Sequence, residues 1–512
     1  MILERILHEK FRFSTFRKGQ KEIIQDLIKG KNVIAMLPTG AGKSICYQLP
    51  GYILEGTVLI VSPLLSLMED QVQQLKSRGE KKVIGLNSFL SFQERKNVLH
   101  SLNQYRFIYV SPEILQSTEV IQALQRIKVS LFVIDEAHCI SQWGHEFRTD
   151  YLKLDVVRNK VGDPPCLALT ATATKEVLED IILQLNLANV ANHIYSIDRP
   201  NIAISIKKVD SLDDKIRETI DYVKQLQGPG IIYFSSRMWT EKMTMILRES
   251  GIDRVAYYHG GLENEDRLLI QQQFIHNQVD VICCTNAFGM GVDKANVRFI
   301  IHFHYPSQIE SYLQEIGRAG RDGNPSIAVL LYCNDDHDLA KSIVLHDLPK
   351  EEEWNVVFSY TSNPNYQPSL YELESIMYER YGIPEIKWRF MKYQLEKEKL
   401  YVNGKLNKNI DQDHVKIKII NTIHERARLK QRHLMDFKRW IVAQDSCKRE
   451  LLLNRFDQTI EVLSETCCDY CKFDIQKYYK IDKNNTSKSI VYMDWEEELK
   501  LIFKQSGEGR NG

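Results

Sequence analysis

From residue 30 to about 205, short apolar runs alternate with longer amphipathic stretches. The runs at 33–37, 58–61, 107–110, 131–134 and 166–169 are strand-length, each bounded on at least one side by Pro, Ser, Thr or a charged residue. Tens of residues separate most of them, enough for crossover helices, so the pattern predicts a parallel sheet. The charged stretch 207–227, closed by Gly228-Pro229-Gly230, reads as a linker with an entering helix. A second series then follows at 231–234, 255–258, 279–284, 299–303 and 328–332. Beyond 345 the strand-like runs stop, and Lys, Glu and Tyr recur at helical spacing. Within this part, 373–406 reads as helix, turn at Gly382-Ile383-Pro384, helix, then a hairpin at Asn403-Gly404. That is the order of a helix-turn-helix, either with its Lys/Arg-rich second helix facing DNA or as a helical spacer. The expected fold is therefore α/β: two parallel-sheet domains at 1–205 and 206–345, a mostly helical region at 346–475, and a polar tail at 476–512 with a short helix near 495–503.

Composition narrows the class without changing that picture. A chain of 512 residues with 43% apolar and 26% charged residues is an ordinary globular one, and a core of this size needs no disulfide staples. Lys plus Arg (67) balances Asp plus Glu (67), so only local patches can speak for a polyanionic partner. The N-terminal residues carry charge every few positions, and no apolar run approaches the ~20 residues of a membrane span. A protein of the cytoplasm, nucleoid-associated in a prokaryote and without a membrane partner, is expected. Ten cysteines in such a compartment stay reduced. Four of them, Cys447, Cys467, Cys468 and Cys471, crowd together, which suggests metal instead of disulfides.

Three motifs carry chemistry. Thr39, Gly40, Ala41, Gly42, Lys43 and Ser44 follow a predicted strand and precede a helical run. Glycines there let backbone N–H groups close around phosphates, Lys43 can reach the β and γ phosphates, and the Ser44 hydroxyl can hold Mg²⁺. Leu37 stands where the strict phosphate-loop pattern has Gly. Asp135 and Glu136 follow the run 131–134, at the carboxyl end of a strand. There Asp135 can enter the Mg²⁺ shell and Glu136 can polarise the attacking water, which makes this an ATP site. The third motif, QEIGRAGRDG at 314–323, sets Arg318 and Arg321 three apart on one helical face of the second α/β half. Positive charge from a second lobe can meet the γ-phosphate, and such an arginine is worth ~10³–10⁵ in rate. Splitting a site between lobes couples hydrolysis to closure.

With these residues in view, the sequence resembles the RecQ-type DNA helicases of superfamily 2, closely over roughly 8–345. The carrying segments are Phe16-Arg17 with Gln20, PTGAGKS at 38–44, SPLLSLMEDQ at 62–71 and DEAHCISQWGHEFR at 135–148. LTATA at 169–173, FGMGVDKANVRFIIH at 288–302 and ESYLQEIGRAGRDG at 310–323 complete the series. The resemblance implies two RecA-like lobes, ATP with Mg²⁺, and single-stranded and duplex DNA as partners, with a single-strand-binding protein as a further candidate. It implies 3′ to 5′ movement on single strands and duplex unwinding in recombination and repair. By the same resemblance Gln20 reads the adenine edge with Phe16 and Arg17 beside it, Arg321 is the arginine finger, and Arg318 a second γ-phosphate contact.

The segment after the acids also has a physical reading. Gln142, Trp143, His145, Phe147 and Arg148 bring aromatic faces and a cation into a loop beside Glu136. Bases of a single strand stack on aromatics for ~1–3 kcal/mol each, so the loop can report strand occupancy; packing of Trp143 and Phe147 in the core is the plain alternative. The four cysteines suit a structural Zn²⁺, because thiolates filling every position leave none for water. Relatives space their zinc cysteines as C-x-x-C-x-x-C after one on a helix, whereas Cys467 and Cys468 are adjacent here, so a degenerate site without metal is the other reading. Basic residues upstream (Arg426, Arg428, Lys430, Arg432, Lys438, Arg439) either track a phosphate backbone or form a solvated face. The family's winged helix and its helicase-and-RNase-D-like domain normally follow the zinc module, and 512 − 471 leaves 41 residues for them, so a short form is expected. The rival functions are an RNA-directed helicase and a nucleotide-gated DNA-binding or remodelling ATPase. Oligomeric state is open.

Overall fold

The two series of apolar runs become two wholly parallel sheets in the computed structural model, which describes residues 2–63, 65–87, 92–141, 148–288, 294–462 and 467–480. The first sheet comprises β1 (Asn32–Met36), β2 (Thr57–Val61), β3 (Val83–Leu86), β4 (Phe107–Val110), β5 (Val129–Ile134), β6 (Cys166–Thr170) and β7 (Val190–Ile194). They lie in the order β3-β4-β2-β5-β6-β1-β7. Central strands such as Thr57–Val61 are buried on both faces, as a sheet covered by helices on each side requires. The apolar pattern misses the two edge strands, β3, which is short and interrupted by Gly85, and β7. β7, VANHI, keeps no fully buried residue, and a strand half in water need not be apolar.

The second sheet takes β8 (Ile202–Lys208), β9 (Gly230–Tyr233), β10 (Val255–Tyr258), β11 (Val281–Cys284), β12 (Phe299–His302) and β13 (Ser326–Tyr332) in the order β10-β11-β9-β12-β13-β8. β8 pairs with β13 in register from Ile202↔Ser326 to Lys208↔Tyr332. The domain boundary expected at 205 thus falls inside a strand, and the connection between lobes lies before Ile202. Of the linker and entering helix expected at 207–227, the helix stands at Leu212–Gln225, capped by Ser211, whose side chain accepts from the Asp214 N–H, whereas the linker begins as the end of β8.

The helical region holds two bodies, not one. Helices Glu351–Thr361, Leu370–Glu379 and Glu385–Lys397 and the hairpin β14 (Tyr401–Val402) and β15 (Lys405–Leu406) close around their own core of Trp354, Leu373, Trp388, Met391 and Ile419. Ser369 and Glu372 form a capping box at the second helix. Asn403 and Gly404, both with positive φ, make the tight turn of the hairpin. This helix-turn-helix with a two-stranded wing has the arrangement of a winged helix, and it precedes the cysteines. The expectation that such a unit has no room concerned the residues after Cys471, of which 481–512 lie outside the described residues. The helix Gln412–Val442 then serves both bodies: Val415, Ile419 and Ile423 belong to the winged core, whereas Leu434, Phe437 and Trp440 pack on the second lobe. Phe437 and Trp440 meet Tyr312 with ring centroids 5.5 and 5.1 Å apart. No helix among the described residues is long and apolar enough to cross a membrane, and the expected helix near 495–503 lies outside the described residues.

Candidate active site between the lobes

The loop 38–44 leaves the carboxyl end of β1 and the turn 135–138 leaves that of β5, the edge where parallel α/β sheets gather ligand groups. Lys43 Nζ stands 3.4 Å from Glu136 Oε1. The other carboxylate oxygen of Glu136 is buried without a hydrogen bond, with His138 Nδ1 at 3.4 Å. The same ring nitrogen meets Thr170 Oγ1 at 3.1 Å, tying the acid turn to the 169–173 segment. Burial, reinforced by the Glu136 charge, pushes the Asp135 carboxyl up to about 6 against the pull of Lys43. Two adjacent carboxylates, the buried Glu136 with an orphaned oxygen and the half-buried Asp135, fit a divalent cation and a water.

The second lobe closes the site. Thr39 Oγ1 donates to the Gly317 carbonyl at 2.9 Å, and a Cβ on Gly317 would fall 1.9 Å from that hydroxyl. Glycine is needed there for the approach. The Arg321 stem lies against the phosphate loop, 3.1 Å from where a Cβ on Gly40 would be. A cavity of about 330 Å³ results, lined by Lys43, Ser44 and Glu136 on one side and by Gln314, Arg318 and Arg321 on the other. Cations thus face the cavity from both lobes and carboxylates from one, the charge layout of a polyphosphate site with a metal.

Arg17 and Gln20 also line this cavity, but the Gln20 amide is engaged by the phosphate loop. Its Nε2 donates to Ala41 O at 2.9 Å and Gly42 O at 3.1 Å, and its Oε1 accepts from the Arg17 N–H at 3.0 Å. The Arg17 guanidinium donates to Gly40 O. Phe16 packs beside the small core under the first two helices.

One central residue escaped the sequence reading. Arg199, in the connection between the lobes, donates to Thr39 O and Gly317 O at 3.0 Å, Ala319 O at 2.9 Å and Gly320 O at 2.7 Å. A single guanidinium therefore holds the phosphate loop to the arginine-bearing turn. The only hint in the chain is an arginine before Pro200 in a connecting segment, and nothing local says what it reaches.

Of the loop expected to touch DNA, Gln142, Trp143, His145 and Phe147 lie outside the described residues. Arg148 is described, and its Nη1 donates to Pro63 O at 2.7 Å. The possible DNA face on the second winged-unit helix is not free: that helix packs on the first lobe, with Lys153 Nζ 3.0 Å from Glu396. Two of the basic residues upstream of the cysteines also turn inward. Lys430 Nζ donates to Val344 O at 3.1 Å, and Arg426, drawn down to about 10 by burial, covers the Phe390 ring.

The sulfurs of Cys447, Cys467, Cys468 and Cys471 all lie within 4.8 Å of one another. Cys468 Sγ is 3.8 Å from Cys447 Sγ and 3.7 Å from Cys471 Sγ. Thiolates ~2.3 Å from one tetrahedral zinc would sit ~3.8 Å apart, so the donor set fits the metal. The Lys448 N–H donates to Cys468 Sγ at 3.3 Å, a contact that favours the thiolate. Adjacent cysteines therefore converge despite their irregular spacing. The cluster also docks on the second lobe: the Ile204 N–H donates to Cys467 O at 3.0 Å, and the Ile206 N–H to the Asp469 carboxylate. Arg449, on the helix that Cys447 begins, donates to Ile202 O at 2.6 Å and reaches Asp198 at 3.4 Å.

Two RecA-like lobes that share one phosphate cavity define the class of DEAD/DEAH-box motors. Residues 17–181 match the DEAD/DEAH box helicase family and 211–323 the helicase conserved C-terminal domain. The chain is 46% identical over 503 residues to the probable ATP-dependent DNA helicase RecS of Bacillus subtilis (strain 168), covering 98% of each. It is 41% identical to the ATP-dependent DNA helicase RecQ of Haemophilus influenzae, over 66% of this chain and 55% of that one. The Mycobacterium smegmatis helicase Lhr bound to ssDNA and AMP-PNP shares the fold, with TM-score 0.56 at 19% identity over 66% of this chain and 49% of that one. The chain belongs to the RecQ family of ATP-dependent DNA helicases.

Proposed function

We propose that the protein uses ATP hydrolysis to move 3′ to 5′ along single-stranded DNA and to open duplexes during recombination and repair. The observation that carries this is the split cavity: Lys43 and Glu136 stand on one lobe and Arg318 and Arg321 on the other, so each turnover is tied to closure of the lobes. In this reading Lys43 and the backbone of 39–42 hold the phosphates. Ser44 and Asp135 hold Mg²⁺, which supplies charge neutralisation of the polyphosphate. Glu136 takes the proton of the attacking water, Arg321 reaches the γ-phosphate, and Arg318 supports it. Phe16, Arg17 and Gln20 take the base, with Gln20 exchanging loop carbonyls for adenine. Gln142, Trp143, His145, Phe147 and Arg148 sense the strand. The four cysteines bind a structural Zn²⁺. A DNA substrate fits the cytoplasm, at the nucleoid of a prokaryote, and no helix among the described residues is long and apolar enough to cross a membrane.

Strand displacement on duplexes with a 3′ or a 5′ single-stranded tail tests the proposal. Release of the shorter strand is expected from the 3′-tailed substrate only, dependent on ATP and Mg²⁺. Release from the 5′-tailed substrate alone would reverse the polarity. DNA-stimulated hydrolysis with no release from either would leave a remodelling ATPase.

A further inference from the structure

A second cavity, about 400 Å³, opens where three bodies meet. The first lobe brings Glu113 and Arg148, the second lobe Tyr258 and Arg267, and the winged unit Arg389. Pro63 and Ser111 at its floor follow the carboxyl ends of β2 and β4, again the ligand edge of the first sheet. Three guanidiniums converging from three bodies repel one another unless an anion lies between them.

Their present partners are instructive. Arg267 bonds Asn264 through one terminal nitrogen, while its Nε is buried without any hydrogen-bond partner. A buried donor left over in a cavity marks the place of an acceptor that the protein itself does not provide. Arg389 is held by carboxylates: Glu385 at 2.6 Å on its own helix, and across the gap Glu113 at 3.3 Å and Asp150 at 4.0 Å on the first lobe. Oxygens of Glu113 and Asp150 thus stand where an oxyanion would sit, and Glu69, the other acid of the cavity, is already bonded by Asn87.

We propose that the single strand passes through this cavity beside Arg148 and that Arg389 is a phosphate-binding residue in it, so that the winged unit, through its second helix, forms a third wall of the strand's path. The ligand class is the phosphodiester backbone of single-stranded DNA, which an arginine fork grips in two places. The idea rests on the DNA-motor reading above and assigns a different task to the helix-turn-helix: its second helix is turned to the first lobe, and it gives the strand one arginine instead of a groove-reading face. Glu113 and Asp150 keep that arginine extended over the cleft until a phosphate replaces them.

Fluorescence anisotropy of labelled oligo-dT with the full chain, over a salt series, tests this. Arg389→Ala is expected to weaken binding about threefold to tenfold and to lower the log–log salt slope by about 0.7, the share of one phosphate on a single strand. Arg389→Lys should recover most of the slope and part of the affinity. Glu113→Gln, which removes a competing carboxylate and leaves Arg389 in place, should tighten binding. Wild-type affinity and slope in Arg389→Ala, or tighter binding, overturns the proposal, the latter by making Arg389 a plug. Unchanged or weaker binding in Glu113→Gln counts against it too, and stands even if Arg389→Ala folds poorly. A wild-type chain that ignores oligo-dT would instead strike the DNA-motor reading itself.

Discussion

Glu136 sits at φ 50° and ψ 48°, the left-handed region that a side chain bearing Cβ disfavours. Holding it there costs about 1 kcal/mol or more, and the rest of the turn must supply it. That twist aims its carboxylate at Lys43. If, as proposed, Lys43 meets ground-state phosphates and Glu136 acts on the water, the two should fail differently. Glu136→Gln is expected to keep nucleotide affinity and lose about 10²-fold or more in turnover. Lys43→Ala should lose both. Fluorescent-nucleotide titration beside steady-state hydrolysis separates them, and near-normal turnover in Glu136→Gln would remove it from the water-activating role. The residues around these two were readable because their motifs are contiguous in the chain. His138 and Arg199 were not: one acts through Thr170 and the other through carbonyls more than a hundred positions away.

Among the elements, central strands announced themselves because burial on both faces allows only apolar residues. β7 was lost at the margin, where water on one side relaxes that demand, whereas β3 and the first half of β8 are largely buried but short, their apolar runs interrupted by Gly85 and Ser205. The order helix, turn, helix, hairpin in 373–406 was legible from Gly382, Pro384 and Asn403-Gly404, but its packing partner was not, since docking on the first lobe depends on Lys153 and Asp150. The long helix Gln412–Val442 likewise gave its helicity away while hiding that its basic residues Arg426 and Lys430 face inward. The cysteine segment presents a test at this scale. Its hold on β8 runs through the Ile204 and Ile206 amides. Stripping metal with a chelator, or Cys468→Ser, should speed hydrogen exchange at these two amides while β1 and β5 stay protected. Unchanged protection in protein verified as metal-free would show that the thiol cluster holds its shape without an ion.

For the whole molecule the decisive contact is the guanidinium of Arg199, which spans both halves of the phosphate cavity from the connection between them. Its four carbonyls belong to residues of both lobes, so no single-lobe event can satisfy it. Arg199→Ala should leave nucleotide binding by the first lobe largely intact and reduce turnover about 10–100-fold, because the arginine turn is no longer aligned on the γ-phosphate. Lysine there cannot fork across four acceptors and should rescue little. Hydrolysis rates with parallel nucleotide titration settle this, and full turnover in the alanine variant would mean that Thr39 and Gly317 align the lobes unaided. Arg449 grips the same connection from the cysteine side, donating to Arg199 O at 3.2 Å, and it is not among the residues that line the phosphate cavity.

The same cysteine segment occupies the free margin of β8, IAISIKK, whose first four residues are buried. Uncovered, a seven-residue strand with open N–H and C=O groups is a template for any other chain that presents one. The cysteine segment covers that edge through the Ile204 and Ile206 amides. Oxidation or substitution of those four sulfurs should therefore show as self-association of the chain, read by light scattering, and not only as slower hydrolysis.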